Sequence, residues 1–184
     1  MHELADPTDE SLAGAAAAGD REAFQTLFDR CQPWVFGLCY RYLGNHHDAE
    51  DVVQEVFIKF ARALPSFRGT AKLRTWLYRI VLTTAVDFAR ASGRRPTASA
   101  EVLDDLVSPA DHTVESADWI VAALQTLSKQ QRQAILLVYY QDLSHAEAAK
   151  VLGCAETTIS WRIFTGKRRL HAYHKQLMQQ LRQP

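Results

Sequence analysis

The sequence predicts an all-α chain of two small helical domains joined by a flexible acidic linker. Three observations carry this. Apolar residues recur at helical spacing along nearly the whole length, and no segment alternates convincingly like a strand. Capping residues stand where such helices should begin: Asp20, Asn45 or Asp48, and the boxes opened by Ser128 and Ser144. Between Gly93 and Ala117 the periodicity fades into Gly, two prolines, Ser/Thr and acids, the composition of a linker.

Residues 1–10 are polar and acidic and are expected to be disordered. An Ala-rich helix from Leu12 to Ala18 opens the first domain, residues 11–95. Asp20 then caps a helix whose inner face is Phe24, Leu27, Phe28, Cys31, Val35, Leu38 and Tyr42, and Pro33 should kink or break it. Gly44 and Asn45 end that helix. The next buries Val52, Val53, Val56, Phe57 and Phe60 and stops at Leu64-Pro65. After a loop to Ala71, a fourth helix turns Trp76, Leu77, Ile80, Val81, Thr84 and Phe88 inward.

The linker is expected over 96–115 and the second domain over 116–184. Trp119, Ile120, Ala123, Leu124 and Leu127 form its first stripe. Ser128 to Gln131 opens a helix through Ile135, Leu136 and Tyr139, and Ser144 to Glu147 opens another. From Leu143 to Leu170 the pattern is that of a helix-turn-helix. A short helix with small Ala148 and Ala149 ends at Gly153, suited to a left-handed turn, and Ile159 and Ile163 anchor a second helix able to lie in a major groove.

A chain of 184 residues with 47% apolar and 23% charged residues has room for such cores. Its net charge of zero is a sum of opposed blocks. From Phe67 to Arg95 the charges are Arg68, Lys72, Arg74, Arg79, Arg90, Arg94 and Arg95 against Asp87 alone. From Pro96 to Ser128 every charged residue is acidic, and after Glu156 every one is basic. Three scattered cysteines, Cys31, Cys39 and Cys154, without a CxxC pair, fit a reducing compartment. No apolar run has the length of a membrane span and no leader is visible, so a cytoplasmic protein is expected.

Two constellations carry function. Asp48, Asp51 and Glu55 share one helical face, which suits a basic partner; a metal nuclease is the rival, though the further ligands it would need cannot be named. Beyond them, rings and arginines interleave from Phe67 to Arg90. Rings stack on bases and guanidinium groups meet phosphates, the needs of single-stranded nucleic acid. Phe67 and Tyr78 are the better candidates for bases, Trp76 for the core.

The arrangement resembles the extracytoplasmic-function (ECF) sigma factors of the sigma-70 family, from about Ala23 to Leu170. Asp48-Ala49-Glu50-Asp51-Val52-Val53-Gln54-Glu55-Val56-Phe57 is similar to region 2.2, which implies that Asp48, Asp51, Gln54 and Glu55 dock on core RNA polymerase. Phe67-Arg68-Gly69 through Thr75-Trp76-Leu77-Tyr78-Arg79-Ile80 is similar to region 2.3, and Asp87 to Arg95 to region 2.4. The resemblance implies −10 contacts, with DNA melting, from Phe67, Arg68, Lys72, Arg74, Tyr78, Arg79 and Arg90. Leu127 to Leu170 is similar to region 4, which implies −35 contacts from Thr157, Thr158, Ser160, Trp161, Arg162, Phe164, Thr165, Lys167, Arg168 and Arg169. The family usually carries Lys or Arg where Ser160 and Thr165 stand, Ser at Trp161 and Ala at Gly166, so an unusual −35 sequence is expected. The resemblance further implies promoter DNA and an anti-sigma factor as partners, no enzyme activity and no cofactor. An acidic linker would then mimic nucleic acid in the polymerase channel. The alternative is an independent helix-turn-helix regulator binding duplex DNA alone. Cys154 and the pair His171 and His174 are read as structural or exposed rather than as sensors.

Overall fold

Each of the first helices begins where a side chain satisfies its orphan N–H groups. The computed structural model describes residues 6–69, 71–92 and 112–180, with side chains from Trp119 onward in the last stretch. Thr8 caps α1 (Asp9–Ala17), Asp20 caps α2 (Arg21–Leu43) by accepting from the N–H groups of Glu22 and Ala23, and Asn45 caps α3 (His46–Ala63). A single 3-10 turn, Leu64–Ser66, follows α3. α4 (Leu73–Ala91) has no cap of its own, and the carboxylate of Glu10 accepts from the N–H of Leu73 across the domain at 3.2 Å. The expected disordered tail therefore gives way from Asp6 on. Asp6 and Asp9 both pair with Arg30, and Thr8 starts a helix.

α2 runs unbroken through Pro33, contrary to expectation. Pro33 and Asp29, whose carbonyl the missing N–H leaves free, both lie on the exposed side, where water can serve that carbonyl. The opposite face, Leu27, Cys31, Val35, Leu38 and Tyr42, is buried and holds the helix together, while Phe24 and Phe28 pack on it half-buried. Val52, Val53, Val56, Phe57 and Phe60 of α3 are buried as expected.

The second half begins with α5 (His112–Gln125). α6 (Lys129–Ile135) opens on the Ser128 to Gln131 capping box and loosens into one π turn at Leu136–Tyr140. α7 (His145–Leu152) opens on the Ser144 to Glu147 box and ends at Gly153 with φ +62°. α8 (Glu156–Gln180) crosses it, anchored by buried Ile159, Ile163 and Gly166. A Cβ at Gly166 would lie 2.7 Å from Ile135 Cδ1, so this glycine permits the close crossing of α6 and α8. Trp119 and Ile120 do not join the expected stripe. Both are exposed, while Ala123, Leu124 and Leu127 are buried. Linker residues 96–111 lie outside the described residues. Among the described residues there is no strand, and no helix is long and apolar enough to cross a membrane.

The cores of the two halves are continuous. Arg132 of α6, 1% exposed, donates to Leu124 O, Gln125 O and Leu127 O at the end of α5 and to Tyr42 O at the end of α2. The Gln125 amide donates to Arg41 O at 3.3 Å, and the Arg41 guanidinium lies 3.8 Å over the Tyr140 ring. Gly37, inside α2, leaves the niche that the Tyr140 hydroxyl occupies.

Candidate polymerase and nucleic-acid interfaces

α3 offers an acidic outward face. Asp51, Gln54 and Glu55 are exposed and Asp48 is half-buried, because the opposite stripe from Ala49 to Phe60 is in the core. The sequence reading missed Ile58. It is 46% exposed and shares this face, seven residues after Asp51. An exposed isoleucine one turn from Gln54 and Glu55, the latter paired with Lys59 at 3.4 Å, suits a partner that is basic with an apolar spot. Among the described residues no group of three His, Cys, Asp or Glu is placed to hold a metal ion.

α4 divides the expected −10 residues into two sets. Phe67 is half-buried against Trp76, with ring centroids 5.2 Å apart; Arg68 and Lys72 are exposed near it, and Arg90 is exposed at the far end of α4. The second set is engaged by the other half of the chain. Tyr78, read as outward, is 1% exposed; its hydroxyl donates to Gln141 Oε1 at 2.9 Å and accepts from Arg74 Nε at 2.6 Å. Arg74 also donates to Gln141 Oε1 at 3.2 Å and lies 5.1 Å from the Trp34 ring. Arg79 donates to Lys150 O at the end of α7 at 2.6 Å. Tyr78 is turned inward because its face of α4 lies between Trp34 of α2, within its own domain, and Gln141 from the other. Burial pushes the Tyr78 phenol above its ordinary range. Gln141 reaches α4 from the end of the π turn, with Asp142 in a left-handed conformation just beyond it. Sequence alone gave no sign of Gln125, Arg132 or Gln141. The mid-helix Gly37, which costs α2 stability, was the one available hint.

On α8 the expected −35 residues also divide. Thr157, Ser160, Trp161, Phe164, Lys167, Arg168 and Arg169 are exposed; Thr158, Arg162 and Thr165 are half-buried. Ser160 Oγ is 2.9 Å from His145 Nδ1 and donates to Glu156 O. Thr165 donates to Trp161 O and accepts from Gln131 Nε2, and Arg162 turns back to Cys154 Sγ at 3.6 Å. Lys167 sits 4.5 Å over the Tyr139 ring and Arg168 5.9 Å over Phe164. Trp161 and Phe164 are 65% and 60% exposed. His171 and His174 are exposed, the latter beside Trp119.

Comparison with known proteins points one way. The sigma-70 region 2 family model matches residues 27–95, and the sigma-70 region 4 model matches residues 117–170. The ECF RNA polymerase sigma-E factor of Escherichia coli K12 is 36% identical over 174 residues, covering 87% of this chain and 91% of the relative. The RNA polymerase sigma-H factor of Pseudomonas aeruginosa is 32% identical over 178 residues, covering 89% and 92%. Among solved structures, the sigma factor RpoE of Bartonella quintana, in complex with the anti-sigma factor NepR, superposes with a TM-score of 0.68. It is 28% identical, over 83% of this chain and 96% of that one.

Proposed function

The chain belongs to the sigma-70 family, in its ECF branch, and from that membership we propose how its surfaces divide the work of an alternative sigma factor. The exposed Asp51, Gln54 and Glu55, with Asp48 at the edge and Ile58 among them, dock on core RNA polymerase. Phe67, Arg68, Lys72, Arg74, Tyr78, Arg79 and Arg90 act at the −10 element. An unstacked base costs a few kcal/mol to hold out of the duplex, and rings beside guanidinium groups supply that. The outward face of α8 acts at the −35 element. The chain has no catalytic step of its own and works in the cytoplasm. An anti-sigma factor, of the kind bound to the Bartonella quintana relative, holds it in check.

The observation that carries this reading is the separation of charge. The acidic face lies on α3, and no acid occurs from Thr157 to the C-terminus. One surface thus suits a basic protein and the other a polyanion. The buried Tyr78 reaches DNA only after Gln141 leaves α4, and the same step frees the exposed Arg74 and Arg79 from Gln141 and Lys150, so promoter opening begins with separation of the two halves.

Run-off transcription with bacterial core polymerase on a pool of promoter fragments tests the assignment. New transcripts should arise with this chain and fall at least tenfold with Asp51→Arg, whose side chain is exposed and whose fold should be unchanged. A footprint on duplex DNA without polymerase, and no transcripts, would establish an independent regulator instead.

A further inference from the structure

The second helix of the helix-turn-helix presents few free polar groups at its centre. Ser160, Thr165 and Arg162 have the residue types that read base edges by hydrogen bonds, but each is turned to a partner within the protein. Ser160 meets His145 and its own helix, Thr165 meets Gln131 and the Trp161 carbonyl, and Arg162 meets Cys154. What remains outward between them is aromatic. Trp161 is the sixth residue of α8, two residues from each of the buried anchors Ile159 and Ile163, and so points directly away from the core. Phe164 is one turn further on. A tryptophan this exposed, on a helix that carries Lys167, Arg168 and Arg169 further on and no acid after Glu156, fits a polyanion that also carries apolar spots. Duplex DNA is such a polyanion: in its major groove the one apolar group is the 5-methyl of thymine.

We propose that Trp161 is a specificity-determining residue that reads a thymine methyl in the upstream promoter element, so that apolar contact replaces part of the usual hydrogen-bond readout. The inference rests on α8 being the −35 reader. Lys167, Arg168 and Arg169 supply phosphate contacts, which position the helix without reading sequence. The indole N–H is a donor alone, so by hydrogen bonding it could reach only a base acceptor. That separates the two modes of reading experimentally, because deoxyuridine in place of thymine removes the methyl and keeps the O4 acceptor.

The holoenzyme, full chain plus bacterial core polymerase, is used to select a transcribed fragment from a pool randomised upstream of the −10 element. Each upstream thymine is then replaced by deoxyuridine, one at a time, and competition binding is measured for the unchanged chain and for Trp161→Ala. One replacement should weaken the unchanged chain about threefold to tenfold, within the range of single base-edge contacts. Trp161→Ala should bind thymine and deoxyuridine templates equally, at the level of the unchanged chain on deoxyuridine. Two results overturn the proposal. In one, the upstream sequence matters but no thymine methyl does. In the other, Trp161→Ala weakens every template alike, including one with the upstream element scrambled, which would make Trp161 a contact to polymerase. Failure of the unchanged chain to direct any transcription would remove the sigma-factor assignment itself, a distinct outcome. An unchanged melting curve for Trp161→Ala excludes misfolding as the cause.

Discussion

α4 and α8 are built from the same materials, rings and arginines on a helix, yet they stand in opposite states. On α4, Tyr78 is sealed under Gln141 while Arg74 and Arg79 are spent on contacts to the second half. On α8, Trp161 and Phe164 face outward, with Arg168 over the Phe164 ring. Composition does not distinguish the two helices. What does is whether a complementary surface of the same chain covers the face. An aromatic residue in the first setting contributes mainly to cohesion, and in the second mainly to recognition.

The largest break in this comparison should come at Arg132, at the centre of the covered region. Arg132→Leu removes the donor to the buried Gln125 O and Leu127 O, at roughly 1–3 kcal/mol each before relaxation, while Leu124 O keeps the Leu127 N–H and Tyr42 O the Gln125 amide. A net loss of about 3 kcal/mol in urea unfolding is expected. A loss below about 1 kcal/mol would show that water reaches those carbonyls and that the contact is loose. Burial pushes this guanidinium down to about 10, so it remains charged at neutral pH.

Tyr78→Phe should have a smaller effect, about 1 kcal/mol, because Gln141 Oε1 keeps its bond from Arg74. It should also alter the alkaline limb. The phenol is raised by burial, so the docked form is the neutral one. Its contribution is whole below the ordinary tyrosine value of about 10 and fades as pH rises past the folded-state value. Tyr42, pushed up to about 12, contributes to the same limb, so the informative quantity is the difference between the parent chain and Tyr78→Phe above pH 10. Parallel curves there would mean that Tyr78 is already solvated.

Helix boundaries were legible because they are local. Asp20, Asn45, Ser128, Ser144 and Gly153 act within three or four residues of themselves, and each does what its type predicts. Tyr78, Trp119 and Ile120 were misjudged because their burial depends on which surface arrives from far along the chain. Periodicity places a residue on a face without saying what covers that face. The Gln141 contact joins residues 63 positions apart. Nothing near Tyr78 in sequence encodes it.

Gly37→Ala should act on the two states in opposite directions. An alanine favours α2 by up to about 1 kcal/mol. Its Cβ would meet the Tyr140 hydroxyl, so the second half must shift or lift away. Net stability should change by less than about 1 kcal/mol, while spin labels at the exposed Arg62 and Arg169 should show a broader or longer distance distribution. An unchanged distribution would mean that Tyr140 finds another rotamer and that the niche is not needed for docking.

The smallest expected change is the one that best separates the two regions. Trp161→Ala removes the most exposed large ring among the described residues and should leave stability within about 0.5 kcal/mol. Trp34→Ala removes a ring of the same type that meets Tyr78 edge-on at 5.0 Å and sits beneath Arg74, and it should cost clearly more in the same denaturation assay. If the two substitutions cost alike, Trp161 is held by the protein rather than displayed by it, and the contrast between a covered helix and a reading helix would collapse. If only Trp34→Ala destabilises, the ring on α8 is present for something outside the chain.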